Sequence, residues 1–145
     1  MSDENDLAKI QDMVRQTYAM LSGPAGPRDY PSVKHLYHRD ARLVRTGVDE
    51  AGRRFATVMS VDDHHRDVDE KLGNLAFLEE ELAHDCEVFG NVARVRSVYR
   101  SVYGEGADRR EGRGVNFLNL IRDGEGWKIM SIVWDNERPG LSLGG

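Results

Sequence analysis

Cysteine is almost missing from this chain: Cys86 is the single one in 145 residues. One thiol closes no intrachain disulfide and builds no cysteine-based metal site. Long apolar runs are missing too, since no stretch approaches the roughly 18 apolar residues of a membrane span. The opening Met-Ser-Asp-Glu-Asn-Asp is acidic and has no apolar core, so a cytoplasmic protein without a secretory leader is expected. There is no excess of positive charge: 20 Lys and Arg stand against 25 Asp and Glu, a net charge of −5. That sign is a poor match for phosphate backbones, and nucleic acid is not an expected partner. No histidine pair at i, i+4 and no glycine-rich loop from strand to helix is present, so neither a metal nor another cofactor is expected. Repeats and low-complexity tracts are absent.

What is present reads as one domain over residues 1–145, with a ragged tail from about 138. Leu7, Ile10, Val14, Tyr18 and Leu21 recur at helical spacing and predict a helix over 5–21. The Ser22–Arg28 stretch, rich in Gly and Pro, breaks it. A short helix from about 31 to 37 follows, then a hairpin of strands 40–46 and 53–59. Ser60 is a good N-cap, Asp62 and Asp63 suit the first turn, and Gly73 marks the end of a second helix at Leu72. The second half predicts strands over 76–89, 92–103, 114–122 and 127–135. Helices first and antiparallel strands later imply an α+β fold with helices on one sheet face.

The Gly90-Asn91 turn fixes a register. Phe89 should face Val92, which sets Glu87 opposite Arg94, Asp85 opposite Arg96 and Glu81 opposite Arg100 on an outer, solvated face. The same register turns Cys86, His84, Leu82 and Glu80 inward, against Val95, Ser97, Tyr99 and Ser101. In the last hairpin, strict alternation places Asn116, Leu118, Ser131 and Val133 on one face, and Val115, Phe117, Ile132 and Trp134 on the other. Both faces are apolar. A second covered face implies a partner, most simply a homodimer packed through the outer sheet face.

The first helix, Leu36-Tyr-His-Arg-Asp-Ala-Arg-Leu-Val44 at a helix-to-strand corner, and Gly114–Trp134 together resemble the NTF2-like superfamily. That superfamily's fold is shared by SnoaL-type polyketide cyclases, ketosteroid isomerases, scytalone dehydratase and limonene-epoxide hydrolase, and the chain resembles the SnoaL-like family among them. The resemblance spans nearly the whole chain and rests on fold signatures. It implies a cone-shaped, curved antiparallel or mixed sheet with N-terminal helices on its concave face (a cystatin-like fold). It also implies a pocket inside the cone, and dimers in many members. The isomerases carry a catalytic carboxylate five residues after the corner Asp. Here the corner is Asp40 and the matching position is Arg45, which is no base at neutral pH. Their first-helix Tyr falls nearest Thr17, with Tyr18 one step off, and their protonated pocket Asp matches Asn116. The isomerase machinery is therefore not reproduced. The likeness does imply a pocket side for Asn116, Leu118 and Ser131.

Candidate chemistry rests on histidine, whose ordinary pKa lies near neutrality. His84, with Tyr99 and Ser97 across the strand, is one candidate base. His64 and His65, beside the apolar stripe of the second helix, are the other. The expected catalytic residues are His84, His65 and Tyr99. The expected ligand contacts are Tyr18, Asp40, His64, Ser97, Asn116, Leu118 and Ser131. Asp40 is also expected to fix its corner through backbone bonds. Arg45, if inward, would attract an anionic ligand such as a carboxylate. Two functions fit: a SnoaL-like protein binding a small, largely apolar molecule, acting as a cofactor-free acid–base enzyme, or a non-catalytic ligand-binding or protein-interaction module of the same fold.

Overall fold

A computed structural model describes residues 3–144. Helix α1 (Asp3–Leu21) leads into a 3-10 turn (Tyr30–Leu36) and strands β1 (Tyr37–Val48) and β2 (Arg54–Met59). Helix α2 (Val61–Leu72) follows, then β3 (Phe77–Phe89), β4 (Val92–Tyr103), β5 (Arg110–Asp123) and β6 (Gly126–Asn136). The six strands form one sheet in the order β2-β1-β6-β5-β4-β3. The β1–β6 pairing is parallel and every other one antiparallel. The α+β class is as the sequence implied, and the boundaries differ by a few residues.

Helix α1 buries Ile10, Met13, Val14 and Tyr18 and packs along β3. Asp6, near its start, accepts from Arg122 at 2.9 and 3.0 Å and from the Trp127 indole at 3.1 Å. Its far end is stapled to β3, where Gly23 and Phe77 exchange backbone bonds at 2.7 and 2.9 Å. Helix α2 begins as expected, with Ser60 accepting from the Asp63 N–H at 3.1 Å.

Arg28, within the Gly- and Pro-rich break, gathers the exposed carbonyls at both helix C-termini. It donates to Leu21 O at 2.7 Å, Leu72 O at 3.2 Å and Leu75 O at 3.1 Å. A cation among helix-end carbonyl oxygens is favourable both as a donor and against the helix dipoles. This side chain fixes the two helix ends relative to each other.

Bulges in β3 and β6 decide which of their side chains face inward. From Phe89 to Ala83 the β3–β4 register is the expected one, with Glu87 opposite Arg94 and Asp85 opposite Arg96. It then shifts between Glu81 and Ala83, leaving Leu82 as the extra residue. An extra residue reverses the alternation beyond it. Glu80, not Glu81, therefore pairs with Arg100, at 2.8 Å. Glu81 and Glu79 turn inward instead, and Leu82, expected inside, is exposed. The second bulge lies in β6, where Asn119 faces Ser131 but Leu120 faces Ile129, so Met130 is extra. Trp134 thus joins Asn116 and Ile132 joins Leu118 on the inner face. Ser131 and Val133 share the outer face with Asn119 and Phe117.

Candidate functional site

The concave side of the sheet, closed by α1 and α2, encloses a cavity of about 320 Å³. Its apolar wall includes Leu43, Val68, Leu72, Phe77 and Ile132. Its polar wall includes Glu79, Tyr99 and Ser101 from β3 and β4, Asn116 and Asn136 from β5 and β6, and Arg45, His64, Asp67 and Lys71 from β1 and α2.

Glu79 stands out chemically. Ser101, its partner across the strands, donates to its Oε2 at 2.8 Å. Burial pushes the Glu79 carboxyl up to about 7, and the Ser101 bond only partly offsets this. A carboxyl in that range is present both as acid and as base near neutral pH. His64 behaves oppositely. Burial, reinforced by His65 and Arg45, pushes it down to about 4, so it is a neutral ring at physiological pH. It packs edge-on against Trp134, with ring centres 5.4 Å apart, and its buried Nδ1 has no partner among the described residues. Asp67 accepts from Lys71 at 2.8 Å and from Arg45. Burial alone would raise its carboxyl, but those bonds hold it below the usual range. Tyr99 donates to Asn136 Oδ1, and burial pushes its phenol well above the ordinary 10. Gly114 makes that placement possible, because a Cβ there would overlap the Tyr99 hydroxyl and the Asp135 carbonyl.

A chain of hydrogen bonds runs from the cavity under α1. Asn116 Nδ2 donates to the Tyr18 hydroxyl at 2.9 Å, and Tyr18 lies 2.6 Å from Ser97 Oγ. Ser97 donates to Glu81 Oε2 at 2.5 Å, and His84 Nδ1 lies 2.8 Å from the same oxygen. Because Ser97 spends its proton on Glu81, Tyr18 must donate to Ser97. Every proton in the chain points toward Glu81.

The residues singled out from the sequence therefore divide. Tyr18, His64, Tyr99 and Asn116 line the cavity. Ser97 and Leu118 face inward as expected but are fully packed, behind the wall rather than on it. His84 points inward beside Ser97, yet it does not line the cavity; it lines an open groove between α1 and β3. His65 leaves the cavity for a stack on Tyr30 at 4.8 Å, with Tyr37 edge-on at 6.3 Å. Asp40 is not at the site. Its carboxylate is exposed, and its corner is held by its own N–H donating to His38 Nδ1 at 3.0 Å, not by carboxylate bonds to the backbone. Ser131, on the outer face because of the Met130 bulge, is paired with Asn119 at 3.1 Å.

Sequence reasoning missed Glu79, Asp67, Lys71 and Asn136. For Glu79 there was a signal. The run Glu79-Glu80-Glu81 must send at least one carboxyl inward, since neighbours alternate between faces, but only the bulge at Leu82 makes Glu79 and not Glu80 the inward one.

No family profile matches the chain, and no curated protein matches it significantly. Solved structures do match. An NTF2-like superfamily protein from Salmonella enterica serovar Typhimurium superposes with a TM-score of 0.73 at 11% identity, over 99% of this chain and 100% of that one. An NTF2-like protein with a cystatin-like fold from Novosphingobium aromaticivorans gives 0.71 at 12% identity, over 90% and 80%. The chain takes the NTF2-like fold. A further NTF2-like protein, of unknown function, from Shewanella baltica gives 0.63 at 12% identity, over 95% and 98%. Identities this low speak to the NTF2-like architecture alone, and chemistry must be argued from the cone's side chains. None of the described helices is long and apolar enough to cross a membrane.

Proposed function

We propose that the cone binds a small, largely apolar molecule and that Glu79 exchanges a proton with it. The chain would then be a cofactor-free acid–base enzyme of the SnoaL-like kind, of the cyclase, isomerase or dehydratase class. The observation that carries this reading is Glu79 itself: a carboxyl on the wall of an apolar cavity, bonded by one serine and pushed to about 7. The histidines first favoured for this role fit it less well. His84 and His65 lie off the cavity, and His64 is too weak a base at neutral pH. Tyr99 and Asn116 supply polar contacts beside Glu79.

The test is proton exchange into a probe ketone. 2-Tetralone in deuterated buffer at pD 7 is followed by NMR with wild-type protein and with Glu79→Gln. Exchange faster than buffer in wild type, and lost in Glu79→Gln, supports catalysis. Shifted cavity resonances without faster exchange support the non-catalytic ligand-binding module instead.

We also infer a homodimer through the outer sheet face. Phe117 is 53% exposed there, beside Val115, Val133 and Leu141 along an apolar groove. Sedimentation of wild type and Phe117→Lys tests it: a dimer that becomes a monomer supports the interface, and a wild-type monomer overturns it.

A further inference from the structure

The cavity's charge runs against that of the chain. The protein as a whole carries −5, yet its cavity wall brings Arg45, Lys71 and Arg110 together with two carboxyls, Asp67 and Glu79. One of those carboxyls holds its proton to near neutrality. Lys71 and Arg110 stand at the exposed rim, and the substantially buried cation is Arg45, whose side chain is 25% exposed.

The charges are also segregated. Glu79 lies on β3 at one edge of the sheet, whereas Arg45 lies on β1, with β6, β5 and β4 between. Lys71 and Asp67 are on α2, which packs on β1. The Arg45–Lys71 wall and the Glu79 wall therefore come from opposite sides of the cone, with the third cation, the exposed Arg110, beside Tyr103 on the Glu79 side. Arg45 is positioned rather than loose. Its guanidinium lies 5.8 Å from the Trp134 ring centre, and its Nη2 donates to Asp67. Among the described residues its Nε and Nη1 have no acceptor. Asp67 divides itself between Arg45 and Lys71, so neither cation is fully matched. A planar guanidinium with unused N–H groups is shaped for a carboxylate.

We propose that the cone's ligand is an organic anion, its carboxylate held by Arg45 and Lys71 and its apolar body lying over Leu43, Val68 and Ile132. This rests on the reading of the cone as a ligand site and adds the chemical class. It also sets an orientation. The carboxylate is drawn to the β1–α2 wall and kept from Glu79, so the opposite end of the molecule is the part presented to Glu79, Tyr99 and Asn116.

The experiment uses three probes of one shape: 2-naphthoate, 2-naphthamide and 2-naphthylmethylammonium. Binding to the full chain is measured by calorimetry, with cavity resonances followed by NMR. The carboxylate is expected to bind at least ten-fold tighter than the amide, and the ammonium weakest. In Arg45→Gln the carboxylate should fall to the affinity of the amide, with the amide unchanged. If that variant does not fold, Lys71→Gln, at an exposed ammonium, should still narrow the preference about three-fold. Amide binding as tight as carboxylate, or a preference that survives both substitutions, overturns the anion and leaves the cone as a ligand site. No shift of cavity resonances with any of the three probes overturns both.

Discussion

Ser101 Oγ donates to Glu79 Oε2 at 2.8 Å between directly paired residues of β4 and β3. That single bond is what moderates the buried carboxyl, and it makes stability depend on pH with a definite sign. Glu79 keeps its proton to about 7 when folded and to its ordinary 4.5 when unfolded. The folded state therefore binds more protons in that window, and Glu79 costs stability as pH rises from 4.5 to 7. His64 does the reverse. It titrates near 4 when folded and near 6.5 when unfolded, so its contribution rises with pH between those values. The two slopes oppose each other over nearly the same range. Urea unfolding from pH 4.5 to 8 should show Glu79→Gln gaining on wild type as pH rises, by on the order of 2 kcal/mol at neutrality. His64→Gln should gain on wild type as pH falls. Ser101→Ala should move the Glu79 window upward. Parallel profiles for all three variants would contradict this account.

Arg28 makes a second prediction. Arg28→Ala removes the donor that the carbonyls of Leu21 and Leu75 share, and leaves Leu72 O with the Leu75 N–H alone. The loss should be about 2–3 kcal/mol in urea unfolding. Arg28→Lys should recover little of it, since one ammonium cannot reach both helix ends in the same geometry. A loss below about 0.5 kcal/mol would show the anchor to be unimportant.

Gly114 makes a third. The Asp135 carbonyl that a new methyl would meet is backbone and cannot swing aside. Gly114→Ala should cost about 1–3 kcal/mol and push Tyr99 away from Asn136. The Asn136 side-chain amide resonances report the displacement directly, and unchanged resonances would count against it.

The bonds beneath α1 make a fourth. Ser97 is fully buried between Tyr18 and Glu81. Ser97→Ala should destabilise by about 1–3 kcal/mol by stranding the Tyr18 hydroxyl. Tyr18→Phe in the same background should add much less than it does alone. A double-mutant cycle with no coupling would break the proposed chain.

The sequence made some of this legible and hid the rest for identifiable reasons. Near the Gly90-Asn91 turn the strand register is the expected one, with Glu87 and Asp85 opposite Arg94 and Arg96, although it is Arg94 that takes both carboxylates. Past Leu82 that register fails, because nothing in the local pattern announces a bulge that serves the packing of β3 under α1. Ser131 was misplaced for the same reason at Met130. Tyr18 and Asn116 were placed well because helical spacing and alternation hold across them. His84 was given the correct face but no access to the cavity, since which inward residues line the cavity is a tertiary matter. Helical periodicity drew attention to the apolar stripe of α2 and passed over Asp67 and Lys71, whose long or charged side chains reach the cavity from its flank.

Leu82 and Met130 also bear on how this cone is inherited. A homologue lacking one residue at either place would keep nearly the same letters yet present a different set of side chains to its ligand. Chemistry in such proteins can thus be exchanged by a single-codon insertion or deletion, with every candidate catalytic residue still written in the gene. Alignments that slide past these positions without a gap will pair residues that never occupy the same face, and conserved-looking columns there will mislead.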